Sequence, residues 1–184
     1  SGSVEVLKRI KKKIKLDRMK TSIKSAIRKK MYVKCSLMIG FPDETHKNVL
    51  QTLNFIKDLA IIGTNDIYVA SFSPYPGSEL FNELRKNGTI PKVNDEYFYG
   101  LISYSNFFKS ISYSQHVGNR MLAFYRIIGM LMFYIISYSI RPKRFIRLVA
   151  NVFKGREESR MDKALIDIFD RLKRGKKGET RDIS

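Results

Sequence analysis

Residues 1–118 alternate strand and helix patterns and residues 119–184 read as helix throughout, which predicts an α/β fold with a parallel sheet and an all-α tail. Three observations carry this prediction. Two short apolar runs rich in β-formers, 31–40 and 66–72, each end at a glycine/proline break and are followed by helical periodicity. The connections between them are a few residues long, the rhythm of βα units. Beyond 119 the apolar spacing is helical to near the end of the chain.

The elements follow in order. Ser3 is placed to cap a helix over 4–13, with Val4, Leu7 and Ile10 at helical spacing. Asp17 is placed to cap a second, about 18–30, with Met19, Ile23 and Ile27 on one stripe. MYVKCSLMIG, 31–40, reads as a buried strand that Gly40–Phe41–Pro42–Asp43–Glu44–Thr45 ends in a tight turn. A helix over about 46–61 carries Val49, Leu50, Leu53, Phe55, Ile56 and Leu59, and Gly63 can stop it. Asp66–Phe72 is the second buried strand, Ser73–Gly77 a rigid loop, and Ser78 the cap of a helix over 79–87. Residues 88–118 read as irregular. Strands apolar along their length suit a sheet buried on both faces. Ligands of such sheets sit at the carboxyl ends of the strands, which makes Gly40–Thr45 and Ser73–Gly77 the candidate active end; spacing alone also allows simple strand exits.

In the tail, MLAFYRIIGMLMFYIISYSI, 121–140, carries one charge, Arg126, and is just long enough to span a bilayer. Tyr125, Tyr134, Ser137 and Tyr138 bring polar groups, and Arg141, Lys143, Arg144 and Arg147 follow at once, as in a helix lying on an anionic interface. Packing onto the rest of the protein, an interfacial position and a true span all stay open. Pro142 opens a helix over 142–153. A last amphipathic helix lies near 157–173, and the end, from 175, reads as frayed.

The net charge of +18 is concentrated at the two ends. Residues 1–30 hold 12 Lys/Arg against two acidic residues, residues 31–118 hold 7 against 8, and residues 119–184 hold 16 against 7. Solvated helix faces and an anionic membrane surface both account for such ends. Nucleic acid is disfavoured, because the basic segments lack the interleaved aromatics of a base-stacking surface. The start of the sequence shows no apolar signal-peptide core. The single cysteine, Cys35, makes no internal disulfide and cannot alone hold zinc or an iron–sulfur cluster. A cytoplasmic setting is expected, with peripheral contact of an anionic membrane through 121–147 as one of the open options.

Three segments together resemble radical S-adenosylmethionine (SAM) enzymes. Ser1–Gly2–Ser3 before VEVLKRIKK looks like the remainder of a Glu-Ser-Gly-Ser motif that ends the fourth strand of a barrel. SLMIGFPDET, 36–45, is similar to the fifth strand and its Pro-Gly-Glu-Thr turn, and FSPYPGSELF, 72–81, to the sixth strand and its exit. FYIISYSIRPKRF, 133–145, resembles the helical end of cobalamin-dependent members that act on tetrapyrrole or lipid-like substrates. The resemblance implies the C-terminal part of a partial (βα)6 TIM-like barrel over 1–118, with a helical extension over 119–184. It implies an enzyme that reductively cleaves SAM at a [4Fe–4S] cluster held by a three-cysteine loop outside this chain. Cobalamin on a separate domain, a small-molecule substrate and an electron donor for the cluster belong to the same expectation. Ser1 and Ser3 would lie near the ribose, Met38 against adenine with Gly40 leaving room for it, Glu44 bracing the turn, and backbone groups of Phe72, Ser73 and Pro74 at the adenine edge. Two positions depart from the pattern: Ser36 stands where glycine is usual, and Asp43 where the turn usually has glycine. A transfer-RNA methylthiotransferase of the same superfamily and a non-catalytic basic module binding membrane or nucleic acid are the alternatives.

Simpler readings stand beside these roles. Met38 also reads as core, Glu44 as a carboxylate near a helix N-terminus, and Cys35 as an inert packed thiol. His46 and His116 have no metal-ligand spacing, and Glu79 and Glu83 are an i,i+4 pair on a solvated face. An open portion of a barrel leaves strand edges uncovered, so the segment alone is expected to be inactive and to aggregate.

Overall fold

The computed structural model describes residues 1–90, 93–102 and 111–179. Two compact units divide the chain, Ser1–Tyr134 and Ile135–Ser184. In the first, α1 (Val4–Arg9), α2 (Leu16–Arg28), β1 (Lys34–Ile39), α3 (His46–Ile62), β2 (Asp66–Ser71), α4 (Glu79–Lys86) and α5 (Asp95–Ile102) lead to α6 (Asn119–Ile140). The second takes the end of α6 together with α7 (Pro142–Lys154) and α8 (Arg160–Glu179). The fold is α/β, with a two-stranded parallel sheet among the described residues.

β1 and β2 pair from Lys34↔Asp66 to Ile39↔Ser71, and the Phe72 N–H extends the ladder to the Ile39 carbonyl at 2.7 Å. Both strands therefore exit at the same end. The crossover is α3, which starts at a reciprocal cap between Thr45 and Asn48 and ends at Gly63 in the left-handed region, φ 105°. α3 buries Val49, Phe55, Ile56, Leu59 and Ala60. β2 is buried along nearly its whole length, as expected. β1 is not: Lys34, Ser36 and Met38 are exposed on one face while Leu37 and Ile39 are buried on the other. Two-sided burial needs a layer on each face, and among the described residues only one face of β1 is covered. No described strand pairs with its other edge, beside which a groove of about 310 Å³ is lined by Met19, Ile23, Val33, Cys35 and Leu37 among others.

α6 closes the outer edge of β2. Alternate residues of a parallel ladder point their backbone groups away from the partner strand, and Val69 is of that set. Arg126, fully buried, donates from Nε to the Val69 carbonyl at 3.1 Å. Tyr134 donates to Asp66 Oδ1 at 2.6 Å. Gly129 lets α6 approach closely: a Cβ there would lie 3.0 Å from Leu53 Cδ2 and 3.2 Å from Ile56 Cδ1. α6 is long and apolar enough to cross a membrane by length and composition, but its inner face is seated on the sheet and α3. The architecture turns all-helical at Asn119, while the first compact unit runs on to Tyr134 because this half of α6 packs on β2.

Several local expectations are corrected. Ser3 precedes α1, yet its side chain makes no cap bond; its hydroxyl accepts from Asn48 Nδ2 at 3.1 Å instead. α2 begins one residue before Asp17, which sits in the first turn rather than at the cap. Within 88–118, α5 forms after Asn94, whose side-chain Oδ1 accepts from the Tyr97 N–H at 3.0 Å; residues 91–92 and 103–110 of that stretch lie outside the described residues. The last helix runs to Glu179 instead of fraying from 175, and 180–184 lie outside the described residues. Gly63, Ser78 and Pro142 take the places expected of them.

Candidate functional site

The glycine/proline turn after β1 is held from two sides. Glu44 is fully buried, and its Oε2 accepts from the N–H groups of Gly40 and, at 3.2 Å, Phe41. From the other side, Ser114 donates its hydroxyl to the Glu44 carbonyl at 2.8 Å, and the Gln115 N–H reaches the Pro42 carbonyl at 2.9 Å. The Glu44 side chain thus satisfies backbone donors that a tight strand exit leaves exposed. Burial pushes its carboxyl above the ordinary carboxylate value, against the opposing effect of the two N–H bonds. Asp43 has no left-handed backbone. In place of a glycine it offers a carboxylate that meets Arg9 at 3.1 Å.

Gly40 adopts φ 89°, and the space its missing side chain leaves is filled by Leu122: a Cβ would lie 2.8 Å from Leu122 Cδ2. The close approach that Gly40 allows in this structure is therefore α6 against the turn. Gly40→Ala is expected to cost about 2–4 kcal/mol, from left-handed strain and overpacking together. Leu122→Ala in the same chain should relieve the overpacking and leave the strain, so the two costs should fail to add in urea unfolding. Additive losses would contradict this contact.

The second exit is built on Phe72, Ser73 and Pro74. The Phe72 ring stacks tilted on Phe41, centroids 4.9 Å apart, over a core of Val6, Phe81, Leu84 and Tyr97. Tyr97 donates to the Pro74 carbonyl. Burial, with Tyr113 second, pushes the Tyr97 phenol up to about 12, which keeps it protonated as a donor. One backbone acceptor expected to face a ligand is thus already engaged, and the Phe72 N–H is in the sheet.

Between the exits lies a cavity of about 520 Å³. Met38, Phe72, Ile10 and Leu80 supply apolar lining, and Arg9, Lys11, Asp43, Glu79 and Glu83 supply charge. Met38, at 37% exposure, is a lining side chain rather than core. Lys11 bonds both Glu79 oxygens, at 2.5 and 2.7 Å. Such a cavity suits a flat apolar group on Met38 and Phe72 with charged substituents at the rim. The structure brings Met38, Phe72 and Ser73 together here, whereas Gly40, Glu44 and Pro74 do not line the cavity and belong to the hydrogen bonding of the two turns. Ser1 and Ser3 lie elsewhere. Ser1 Oγ is 3.2 Å from Thr52 Oγ1 and borders the groove beside β1, and Ser3 is buried against Asn48. Gly2 fixes this packing, since a Cβ there would fall 2.5 Å from Phe55 Cβ.

Sequence reasoning missed Arg9, Ile10 and Lys11 as cavity residues; α1 ends at Arg9 and the chain turns at Lys11, φ 56°, where a longer helix was expected. It also read Glu79 and Glu83 as merely solvated. Their i,i+4 spacing shows a shared helix face and nothing of what that face borders.

Among the described residues no three His, Cys, Asp or Glu side chains converge as metal ligands. His46 Nδ1 sits 3.0 Å from the Tyr125 hydroxyl. Cys35 is half-buried in β1, and burial pushes its thiol up, away from the thiolate that metal binding needs.

No family model matches the chain. Over 92 residues, 49% of the chain, it is 36% identical to the tRNA-2-methylthio-N(6)-dimethylallyladenosine synthase of Buchnera aphidicola, covering 20% of that protein. Over 97 residues, 51% of the chain, it is 33% identical to an uncharacterised methyltransferase of Pyrococcus horikoshii, again covering 20% of it. About half of the chain is therefore similar to enzymes of transferase type, and the matched stretch spans about a fifth of each.

Proposed function

We propose that this chain is part of a radical SAM enzyme and that the cavity between the two strand exits takes the adenosyl group of SAM. The observation that carries the proposal is the parallel pairing of β1 with β2, which sets Met38 and Phe72 in one cavity beside a turn braced by Glu44. Similarity to a tRNA-2-methylthio-N(6)-dimethylallyladenosine synthase and to an uncharacterised methyltransferase supports it. The uncovered edge and face of β1, with the groove beside them, suit further strands of a partial barrel. In this reading Met38 and Phe72 sandwich or face the purine, and Arg9, Lys11 and Asp43 orient the charged end of the ligand. Glu44 acts through the turn and does not touch the ligand.

The chain's own residues do not fit an iron–sulfur cluster, since it has one cysteine where three are needed, and burial pushes that thiol up. The cluster's ligands in this proposal belong to protein outside the chain, as does any cobalamin. The substrate proposed is a small molecule, lipid-like or tetrapyrrole. A second reading, modification of transfer RNA, is favoured by the similarity to the tRNA-2-methylthio synthase.

The test uses the whole protein, reconstituted anaerobically. Met38→Asp is expected to weaken SAM binding by about tenfold or more, the loss of one side chain's apolar contact, with the melting temperature unchanged because Met38 is exposed. Calorimetric titration reads the affinity. Unaltered binding would remove this cavity from consideration, and no SAM binding at all would leave a non-catalytic basic module. Mass spectrometry of transfer RNA incubated with the enzyme and SAM separates the second reading from the first.

A further inference from the structure

We propose that α7 is a membrane-surface helix whose exposed Phe145, Ile146, Val149 and Phe153 enter the headgroup region of an anionic lipid surface, with Lys143, Arg147 and Lys154 alongside. At 100° per residue the four apolar side chains fall within an arc of about 100°. They are 52%, 67%, 40% and 83% exposed, so none belongs to a core in this structure.

The helix cannot roll to hide them. Its opposite face buries Leu148 and Asn151, and Asn151 Nδ2 donates to Asp162 Oδ2 of α8 at 3.2 Å. The same oxygen accepts from the N–H groups of Ser159, at 2.7 Å, and Glu158, at 3.1 Å. That carboxylate ties α7, the turn after Gly155 and the start of α8 into one piece. Within the same unit the Arg144 Nη1 donates to Ser137 Oγ at 2.9 Å, and Tyr138 packs edge-on to Phe145 at 6.0 Å.

Charge selects the partner. Lys143, Arg147 and Lys154 are exposed and share an arc of about 40° that begins about 60° beyond Ile146, on the flank of the apolar arc. Residues 135–184 carry 14 Lys/Arg against seven Asp/Glu. A neutral protein partner would leave that charge unmatched. RNA would match it but would gain nothing from Ile146 and Val149, which offer no ring to stack on. An anionic bilayer matches both, because an apolar helix face sinks to the headgroup–acyl boundary while flanking Lys and Arg reach the lipid phosphates.

Flotation of the whole protein with phosphatidylcholine vesicles, with and without phosphatidylserine, tests this. The expected result is binding that requires phosphatidylserine and weakens with salt. Ile146→Glu with Phe153→Glu should weaken it at least about tenfold through lost apolar burial. Lys143→Glu with Arg147→Glu should cost about fivefold or more for each charge removed. All four side chains point outward, so circular dichroism should show the variants folded. Absence of flotation, equal binding to neutral vesicles, or binding that survives both variants would overturn the proposal. So would a transfer-RNA gel shift abolished by the charge variant and untouched by Ile146→Glu with Phe153→Glu, which would assign the face to nucleic acid.

Discussion

Arg126→Ala is expected to destabilise the protein by about 3–5 kcal/mol, the usual loss when one partner of a buried charged hydrogen bond is removed and a cavity opens behind it. The guanidinium is completely enclosed, and burial acts to lower its proton affinity while Tyr68 opposes that. What it supplies is a donor for the outward-facing carbonyl of Val69 at the edge of the sheet. Arg126→Met fills most of the volume and restores nothing to that carbonyl, so it should cost less, about 1–3 kcal/mol. Urea unfolding of the two variants separates volume from hydrogen bonding. A loss well under about 1 kcal/mol for alanine would mean that water satisfies Val69 and that Arg126 does not hold α6 to the sheet.

Glu44→Ala is the second large effect. It strips the acceptor from the Gly40 and Phe41 N–H groups in a place that excludes water, at a cost of about 2–5 kcal/mol. Glu44→Gln keeps an acceptor and should cost less. The carboxyl also sets a pH dependence. Because burial raises its pKa in the folded chain, the unfolded chain releases the proton first as pH rises. Stability from this group is full below the ordinary carboxylate value, falls across the interval up to the raised value, and is level above it. Glu44→Gln should abolish that falling segment in melting curves taken from mildly acidic to neutral pH. A rise in wild-type stability over the same interval would mean that the two N–H bonds outweigh desolvation.

Both residues show where sequence reading stops. Glu44 was expected as a brace only through the resemblance, its residue type alone suggesting a carboxylate near a helix N-terminus, and the structure gives it the Gly40 and Phe41 N–H groups. The clamp from Ser114 and Gln115 was not, since some 70 residues separate the partners. Arg126 read as an awkward charge in an apolar run. Only the packed helix shows that it faces a strand edge. Met38 read as core by type and proves half open to a cavity, while Gly40 read as room for a ligand and proves to be room for Leu122. Asn94–Asp95–Glu96 did carry a helix-start signal for α5, which the surrounding aromatic and small residues obscured.

Local chemistry by itself determined the order of strands and helices, the ends of α3 and α4, the proline start of α7 and the two breaks after the strands. Each depends on residues within a turn of one another, where φ restriction, capping oxygens and apolar period act directly. Tertiary structure alone decided which strand face stays open, what fills the space at Gly40, which charges border the cavity, and which face of α7 meets solvent. Those outcomes depend on side chains brought together across tens of residues, and the free energy of such contacts comes from burial and pairing that no local pattern contains.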